Sequence, residues 1–517
     1  MNRSGIHLNK WWSVAICAGL TLLAVLHLGQ DRNWDLANYH LYNPHALLGG
    51  RYGFDIAPAQ LQTWHNPMLD VPLYLLMKAD MPGLLISLWL ALPSMVALIA
   101  GNKVLGNLLD RSPAPWETAA FALIAITAPA MYSTLGSSMN DGFVAAAMLL
   151  ALAIACRKGS GWRDWALAGL IAGGIAGLKL TALVYCIGLA ASACARGPLK
   201  DLPVRLVALA IGGLAGFLVS YGFWGFYLWE THGNPLFPYL NQVFESPDVA
   251  PIAWADVRFR PDGIGEAMLV PFRLLVTGNQ FSELPARSAL LLAGLASAIA
   301  LPWVARNASA EARSNLRALL AFLLVSFSLW ALQYGILRYT TPLEVLSAAA
   351  LMALLAQLPR MIHWPMALAA SLFMVFFSVQ PDWGRNPFSR HLLAADWPNL
   401  PRDSMVVTSS NAPLGYFALG LPGDVPIVAL YNNVMNPGRC AGLQATAEMR
   451  VREFGGSLWL LEEQREDADI EQGRRLAREA YGLHVAEPCT TMRSSFGPLR
   501  LCPLQRTPSE RRCLASP

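Results

Sequence analysis

Charged residues are scarce in this chain. Only 14% of its 517 residues are Asp, Glu, Lys or Arg, against roughly 25% in soluble globular domains. Hydrophobic residues make up 55%, which is more apolar surface than ordinary soluble domains of this size can bury. In a bilayer the same composition is expected, because lipid surrounds the apolar faces. The composition therefore predicts an integral membrane protein.

Several motifs of soluble proteins are missing as well. The net charge of +4 is spread along the chain, and without a dense run of Lys and Arg it argues against nucleic acid as a partner. There is no C-x-x-C or Cys/His cluster for zinc, and no G-x-G-x-x-G, G-x-S-x-G or P-loop motif. No internal repeat of fixed period stands out, which disfavours a transporter built from repeats.

Long apolar segments are the main positive feature. A span needs about 18–20 apolar residues to cross a hydrocarbon core of roughly 30 Å. Candidate segments lie at 11–29, 82–101, 117–135, 139–156, 163–178, 180–195, 204–228, 287–305, 316–335, 339–357 and 362–379. The first is long and lacks a small-residue cleavage site, so we interpret it as an uncleaved span. The fold class is mainly α, a polytopic transmembrane helical bundle of about eleven spans.

Basic residues predict the orientation of these spans. With the N-terminus inside, every inside loop is short and basic, as the positive-inside rule requires; the residues are Lys103, Arg111, Arg157, Lys158, Arg163, Arg196, Lys200, Arg205, Arg306, Arg313, Arg317 and Arg360. The two long loops, 30–81 and 229–286, then lie outside together with the C-terminal tail.

The tail changes character near residue 380. We predict a transmembrane domain over 1–380 and a small α/β domain over 381–517, with five strands and a helix over 462–481. The predicted strands are 405–408, 427–430, 458–461, 484–486 and 499–502. Cys489 and Cys502 flank two of them and are candidates for a disulfide if the tail is exported, with Cys440 and Cys513 as other partners.

The first outside loop holds the strongest candidates for chemistry. Asp31 and Asp35 are four residues apart and would share one face of a helix, and His40 and Tyr39 follow within two turns. An acid beside the lipid boundary is costly unless it is useful. The alternative, without a functional role, is an aromatic belt at the membrane interface with its acids solvated.

Further candidates lie along both outside loops. Residues 36–48 resemble an interfacial helix lying on the membrane; His65 and Asp70 follow and could line one cavity, or could belong to a capped turn. In the second loop, Glu230 and His232 precede a stiff Asn-Pro turn, and are either a substrate wall or part of that turn.

Two basic residues, Lys179 and Arg338, lie at the predicted outer ends of spans, against the general charge bias. Cations there could hold a lipid phosphate, Arg by two hydrogen bonds and Lys as a point charge. The alternative is snorkelling to lipid headgroups.

Taken together, these features resemble the GT-C superfamily of membrane glycosyltransferases. The resemblance covers most of residues 10–380 by layout and depends on the motifs Asp31–Asn43, Gly233–Tyr239 and Arg338–Pro342. The members most similar in layout are bacterial lipid-carrier-dependent enzymes related to the protein mannosyltransferase and aminoarabinose transferase families.

The resemblance implies transfer of a sugar from a polyprenyl-phosphate donor to a glycan, lipid or protein acceptor. The enzyme would lie in the bacterial inner membrane, with its N-terminus cytoplasmic and its C-terminal domain periplasmic. In the family, the first-loop acid acts as general base or orients the acceptor nucleophile, a role that falls here on Asp35 with Asp31 as its rival. Many members carry two adjacent acids, which this chain lacks, so the choice of base and the need for a divalent cation stay open.

Three other functions are alternatives to sugar transfer by such an enzyme. A polymerase or ligase of surface polysaccharide would use a similar donor, and Arg258, Arg260 and Arg273 in the second loop suit it. A transporter or flippase of lipid-linked sugar would need polar residues in mid-span, which are few here. A non-catalytic assembly protein would give the first-loop acids no role.

Overall fold

The computed structural model describes residues 3–305 and 308–507. Its helices are, in chain order, α1 (Arg3–Leu28), α2 (Tyr42–Gly49), α3 (Val71–Lys78), α4 (Gly83–Leu109), α5 (Pro115–Ile126), α6 (Pro129–Thr134), α7 (Asp141–Ala155), α8 (Trp162–Leu178), α9 (Leu183–Ala195), α10 (Leu202–His232), α11 (Asn241–Phe244), α12 (Ile264–Arg273), α13 (Leu290–Val304), α14 (Ala310–Gln333), α15 (Thr341–Leu355), α16 (Arg360–Phe377), α17 (Gly442–Glu453) and α18 (Ala468–Tyr481). A π-helix covers Leu36–His40, and 3-10 turns cover Gln60–Trp64, Pro67–Leu69, Leu180–Ala182, Leu199–Asp201, Leu337–Thr340 and Gly415–Gly420.

Every predicted apolar segment contains a helix, so the mainly helical fold is confirmed. Within the described residues, five helical segments are long and apolar enough to cross a membrane: Trp11–Leu28, Gly83–Leu109, Leu199–His232, Ala310–Gln333 and Arg360–Phe377. Other apolar helices, such as Asp141–Ala155 and Leu290–Val304, are shorter. The total of about eleven spans therefore stays a prediction.

The chain forms two compact units. Unit 1 comprises Met1–Gln30, Ser87–Gly222 and Asp256–Arg385, and unit 2 comprises Asp31–Ile86, Phe223–Ala255 and Asn386–Pro517. Unit 2 thus combines the first outside loop with part of the second loop and the tail. The predicted domain boundary at residue 380 stays a prediction.

A six-stranded sheet forms the centre of unit 2. Besides the two-residue strands β1 (Gln30–Asp31) and β2 (Arg385–Asn386), the strands are β3 (Ser404–Ser409), β4 (Ile427–Tyr431), β5 (Ser457–Glu463), β6 (Leu483–Val485), β7 (Thr490–Ser494) and β8 (Gly497–Arg506). The order is β4-β3-β5-β8-β6, with β7 also paired to β8. Strands β4, β3 and β5 are parallel and β8 is antiparallel to β5. Parallel strands need crossover connections, and α17 lies between β4 and β5.

All five predicted strands of the tail are confirmed, and β7 and α17 were missed. The predicted helix over 462–481 begins later, at Ala468. Asp467 caps that helix by accepting hydrogen bonds from the backbone N–H groups of Asp469 and Ile470, and residues up to Glu463 continue β5. The charged, periodic stretch was therefore a strand end, a turn and then a helix.

Cys489 and Cys502 form a disulfide, as their positions beside two strands had suggested. Cys502 lies in β8, opposite Leu460 of β5, and is completely buried. Cys17, Cys156, Cys186 and Cys194 are free thiols. Cys513 lies outside the described residues.

Close glycine packing joins α8 to α10 in unit 1. A Cβ on Gly169 would lie 2.2 Å from the Leu209 carbonyl oxygen, and one on Gly173 would lie 1.9 Å from that of Gly213. On the facing helix, a Cβ on Gly216 would lie 2.1 Å from the Leu170 carbonyl oxygen. Small residues four apart let membrane helices approach backbone to backbone.

Replacing Gly173 with Ala should therefore destabilise unit 1. The added methyl has to push the two helices apart, and overpacking of this kind typically costs about 1–3 kcal/mol. The thermal midpoint of the purified protein in detergent should fall. Gly174→Ala is the matched control, because its Cβ would meet nothing closer than 4.0 Å and Ala favours a helix over Gly by about 1 kcal/mol. Equal midpoints for the two variants would contradict the packing.

Candidate functional site

Asp31 and Asp35 do not share a helix face, so that prediction is wrong. Asp31 lies in β1, and the helix begins after Asn33. The side-chain amide of Asn33 donates to both Asp31 carboxylate oxygens at 2.8 and 2.9 Å. The Asn33 Oδ1 accepts from the Leu36 backbone N–H at 2.7 Å, which satisfies an otherwise unpaired donor of the first turn. Asp31 thus fixes the residue that caps the helix.

Asp35 stands at the N-terminal end of the π-helix Leu36–His40. Its side chain is buried, with 9% of the residue exposed. The predicted helix over 36–48 is present as this π-helix followed by α2. However, residues 36–40 are buried within unit 2, rather than lying on a surface as an interfacial helix would. Single π-turns are rare and occur frequently at functional sites.

His40, at the other end of the same π-helix, pairs with Asp70. The His40 Nδ1 lies 2.8 Å from the Asp70 Oδ1, and the side chains are 1% and 5% exposed. Asp70 is placed by the short turn Pro67–Leu69, which Asn66 caps through its side-chain oxygen. A carboxylate on one ring nitrogen fixes the orientation and tautomer of an imidazole. The structure therefore brings Asp70 against His40, a pairing that the sequence did not predict, and the expected cavity between His65 and Asp70 stays a prediction.

Tyr39 and His65 form a second contact beside this pair. The Tyr39 ring lies 4.0 Å from the His40 ring and 5.1 Å from that of His65, centroid to centroid. The His65 Nε2 lies 2.8 Å from the Tyr239 hydroxyl. Asn234 holds that tyrosine by donating to its backbone carbonyl at 3.0 Å. The Gly233–Tyr239 motif of the second loop thus places Tyr239 against His65 of the first loop.

His232 and Glu230 are placed differently. His232 pairs with Asp248, Nδ1 to Oδ2 at 2.6 Å, and stacks on Phe237 with ring centroids 4.0 Å apart. Glu230 is exposed in the last turn of α10. The contacts of His232 support the structural alternative, a stiff turn held by side chains.

A buried ion pair that was not anticipated secures the loop. Arg51 forms a bidentate ion pair with Asp55, in which both hydrogen bonds are 2.8 Å long. Arg51 also donates to the Val425 carbonyl at 2.8 Å, and Asp55 accepts from the Ile427 backbone N–H at 2.9 Å and the Tyr42 hydroxyl at 3.1 Å. The pair therefore bonds the first loop to the beginning of β4. Its only sequence signal was the i, i+4 spacing of opposite charges.

Burial governs proton binding in this part of unit 2. It lowers the pKa of His45 to about 4, with the positive charges of Arg51 and Lys78 acting in the same direction. The His45 imidazole is therefore neutral near pH 7. Burial also raises the pKa of the Tyr52 hydroxyl, and the charges of Tyr227 and Asp70 raise it further.

Lys179 and Arg338 meet in unit 1 around Asp141. The Lys179 Nζ lies 2.5 Å from the Asp141 Oδ1 and donates to the Met139 carbonyl at 2.6 Å. The Arg338 Nη1 lies 3.7 Å from the Asp141 Oδ2. The Tyr339 ring lies 5.4 Å from the lysine ammonium and 5.0 Å from the guanidinium. The two cations thus share one buried carboxylate.

Asp141 was missed in the sequence, although the signal was present. It is an acid at the beginning of an apolar helix, directly after the N-cap residue Asn140. Acids in such positions are costly and usually functional. Across residues 3–305 and 308–507, no group of three or more His, Cys, Asp or Glu side chains is arranged to hold a metal ion. A divalent cation stays an open prediction.

Comparison with known families gives this chemistry a class. Residues 64–329 match the model of glycosyltransferase family 87, which is just over half of the 517-residue chain. With its apolar helices, the chain is a membrane protein and a glycosyltransferase. It belongs to glycosyltransferase family 87. A comparison with curated proteins gave no match.

The matched segment divides the candidate residues. It contains His65, Asp70, Lys179, Glu230 and His232, and it begins after Asp31, Asp35, Tyr39 and His40 and ends before Arg338. The family match therefore supports sugar transfer without assigning the general base.

Asp55→Asn should destabilise unit 2. It leaves Arg51 buried without its charged partner, and breaking a buried pair typically costs about 3–5 kcal/mol. The measurement is unfolding in denaturant of the purified protein in detergent. Asp80→Asn is the control, since Asp80 pairs with His391 at 2.6 Å but is 57% exposed, and exposed pairs contribute about 0–1 kcal/mol. A loss no larger than the control's would show that the Arg51–Asp55 pair does not hold the loop.

Proposed function

We propose that this enzyme transfers one sugar from a polyprenyl-phosphate donor to a cell-envelope acceptor, with Asp35 as general base. The observation that carries the proposal is a buried acid at one end of a short helix whose other end bears the His40–Asp70 pair. That helix follows the first predicted span, in a chain of a glycosyltransferase family.

The chemistry needs a base and a stabilised leaving group. The acceptor hydroxyl attacks C1 of the sugar, its oxygen forms the new C1–O bond, and the C1–O bond to phosphate breaks with its electron pair going to the phosphate. The hydroxyl proton passes to the Asp35 carboxylate, as in general-base catalysis. Polyprenyl phosphate leaves, and a single displacement inverts the configuration at C1.

His40 has a supporting role in this scheme. Asp70 holds its imidazole in one orientation through the 2.8 Å contact. We propose that His40 orients the acceptor hydroxyl toward Asp35, while Tyr39 and His65 form an aromatic wall of the sugar cavity. Glu230 and His232 are the weakest members of the proposed cavity, given the exposure of the first and the Asp248 contact of the second.

Lys179 and Arg338 are proposed to bind the donor phosphate. Negative charge builds on the phosphate as the C1–O bond breaks, and fixed cations stabilise it. Asp141 keeps both side chains oriented.

The proposed location is a bacterial inner membrane, with the N-terminus cytoplasmic and the tail periplasmic. The positive-inside pattern supports this orientation. The Cys489–Cys502 disulfide supports it too, because such bonds persist in oxidising compartments.

A polymerase or ligase of surface polysaccharide gains less support. Its case depends on the arginines of the second loop, and two of them form ion pairs with neighbouring acids. Arg258 contacts Asp256 at 2.6 Å and Glu283 at 3.2 Å, and Arg273 contacts Glu266 at 3.2 Å.

Asp35→Asn should abolish sugar transfer. Loss of a general base typically lowers the rate by about 10²–10⁴-fold, and the amide is nearly the same size, so protein level should not change. The measurement is transfer of label from a radiolabelled polyprenyl-phosphate hexose or pentose in membranes. Asp31→Asn is the comparison, and should lose less activity because Asp31 acts through Asn33, the residue that caps the helix. If Asp31→Asn were the inactive variant, the base would be Asp31.

Arg338→Ala should raise the KM for the lipid donor. One charge-assisted hydrogen bond is worth about 1.5–3 kcal/mol, or roughly tenfold or more in affinity. Initial rates over a range of donor concentrations measure it. Arg390→Ala is the control, because that side chain is 80% exposed and should leave KM unchanged. An unchanged KM in Arg338→Ala would make this arginine a headgroup anchor.

A further inference from the structure

The first loop is built into the edge of the tail sheet. The Ile56 backbone N–H donates to the Ile427 carbonyl at 2.9 Å, and the Ala429 backbone N–H donates to the Ile56 carbonyl at 2.9 Å. Ile56 thereby pairs in parallel with Val428 of β4, which is the terminal strand of the sheet. Exposed strand edges are templates for unwanted pairing, and the loop covers this one.

Polar groups that follow the parallel strands bind the same loop. After β3, the carbonyls of Asn411 and Ala412 accept from the Gln60 side chain at 3.0 and 3.2 Å. After β4, the Asn432 side chain donates to the Ala57 carbonyl at 3.1 Å. In open parallel sheets, the carboxyl ends of the strands are the usual place for ligands. Here these groups contact the enzyme's own first loop.

A glycine of the tail touches the π-helix itself. A Cβ on Gly415 would lie 2.0 Å from the Asn38 carbonyl oxygen, well inside van der Waals contact. Asn38 is completely buried and lies between Asp35 and His40 in the helix. Its side chain donates to the Ala59 carbonyl at 3.2 Å, which holds it from the other direction. No side chain fits at position 415 unless the helix moves.

We infer that the tail segment Leu414–Gly420 positions the π-helix for catalysis, and that Gly415 is the positioning residue. The inference rests on the proposed function, in which both ends of that helix act in the reaction. The helix has only five residues, so displacing its middle shifts Asp35 and His40 relative to the rest of the site. In this view, the tail holds Asp35 and His40 in the positions that the reaction requires.

Gly415→Ala tests this in the full-length enzyme. With a polyprenyl-phosphate hexose as donor, kcat should fall by roughly 10–10²-fold, the loss expected from a displacement near 1 Å, while KM for the donor stays within about twofold of wild type. Gly455→Ala is the matched control, since nothing lies within 4 Å of its Cβ.

A purely structural role would give another pattern. Activity would then fall in proportion to the folded fraction, and kcat per folded enzyme would equal that of wild type. That result would overturn the inference. If Gly415→Ala does not fold, Gln60→Met carries the same test, because it removes both hydrogen bonds to residues 411 and 412 at nearly constant side-chain volume.

Hydrogen exchange separates this inference from the proposed function. The amides of residues 36–41 should exchange faster in Gly415→Ala than in wild type or Gly455→Ala, whatever the donor turns out to be. Unchanged exchange there would refute the positioning role even in an active enzyme. A wild-type enzyme that does not use the lipid donor, together with faster exchange in the variant, would refute the proposed donor and leave the contact between tail and helix established.

Discussion

The buried ion pair between Arg51 and Asp55 is the contact on which the architecture of unit 2 depends. A charge taken out of water has to be paired and fully hydrogen-bonded, and both residues achieve this only with carbonyl and amide groups at the beginning of β4. The pair therefore permits one arrangement of loop and tail. Pairing of Ile56 with Val428 then continues the sheet into the loop.

Once the loop is held in this way, its polar residues acquire defined partners. Asn33 caps the π-helix while bound to Asp31, and Asp70 orients His40. The loop is thus less a flexible connection between spans than part of a folded domain. This agrees with the requirement that catalytic groups be held rigidly by their surroundings.

The cluster of Lys179, Arg338 and Asp141 in unit 1 follows the same rule in a different setting. Lys179 follows the end of α8, and Arg338 lies in the turn before α15, so each cation lies at a helix boundary. The Asp141 carboxylate forms ion pairs with both cations, and the Tyr339 ring lies close to both. Sequence reasoning identified the two cations because they opposed the general charge bias. It overlooked the acid, because no pattern of spacing links residue 141 to residues 179 and 338.

Local chemistry made much of the fold predictable. Long apolar runs such as 83–109 become helices because lipid and protein interior leave the backbone no other partner for its hydrogen bonds, and short apolar runs such as 404–409 become buried strands. The tail's strand pattern even placed Cys489 beside Cys502. Errors arose where polar residues decide the structure, as at Asp31, which binds Asn33, and at Glu462 and Glu463, which are the last residues of a strand.

By itself, the sequence determined that this protein belongs in a membrane and which long apolar segments are helices, and it predicted candidate acids in the two long loops. Only the tertiary structure decided that His40 meets Asp70, that Lys179 and Arg338 share Asp141, and that Gly415 lies against Asn38. The physical reason is range. Hydrophobic burial acts on runs of neighbouring residues and leaves a periodic trace, whereas hydrogen bonds and ion pairs are short and directional, so their partners are known only when the chain has folded.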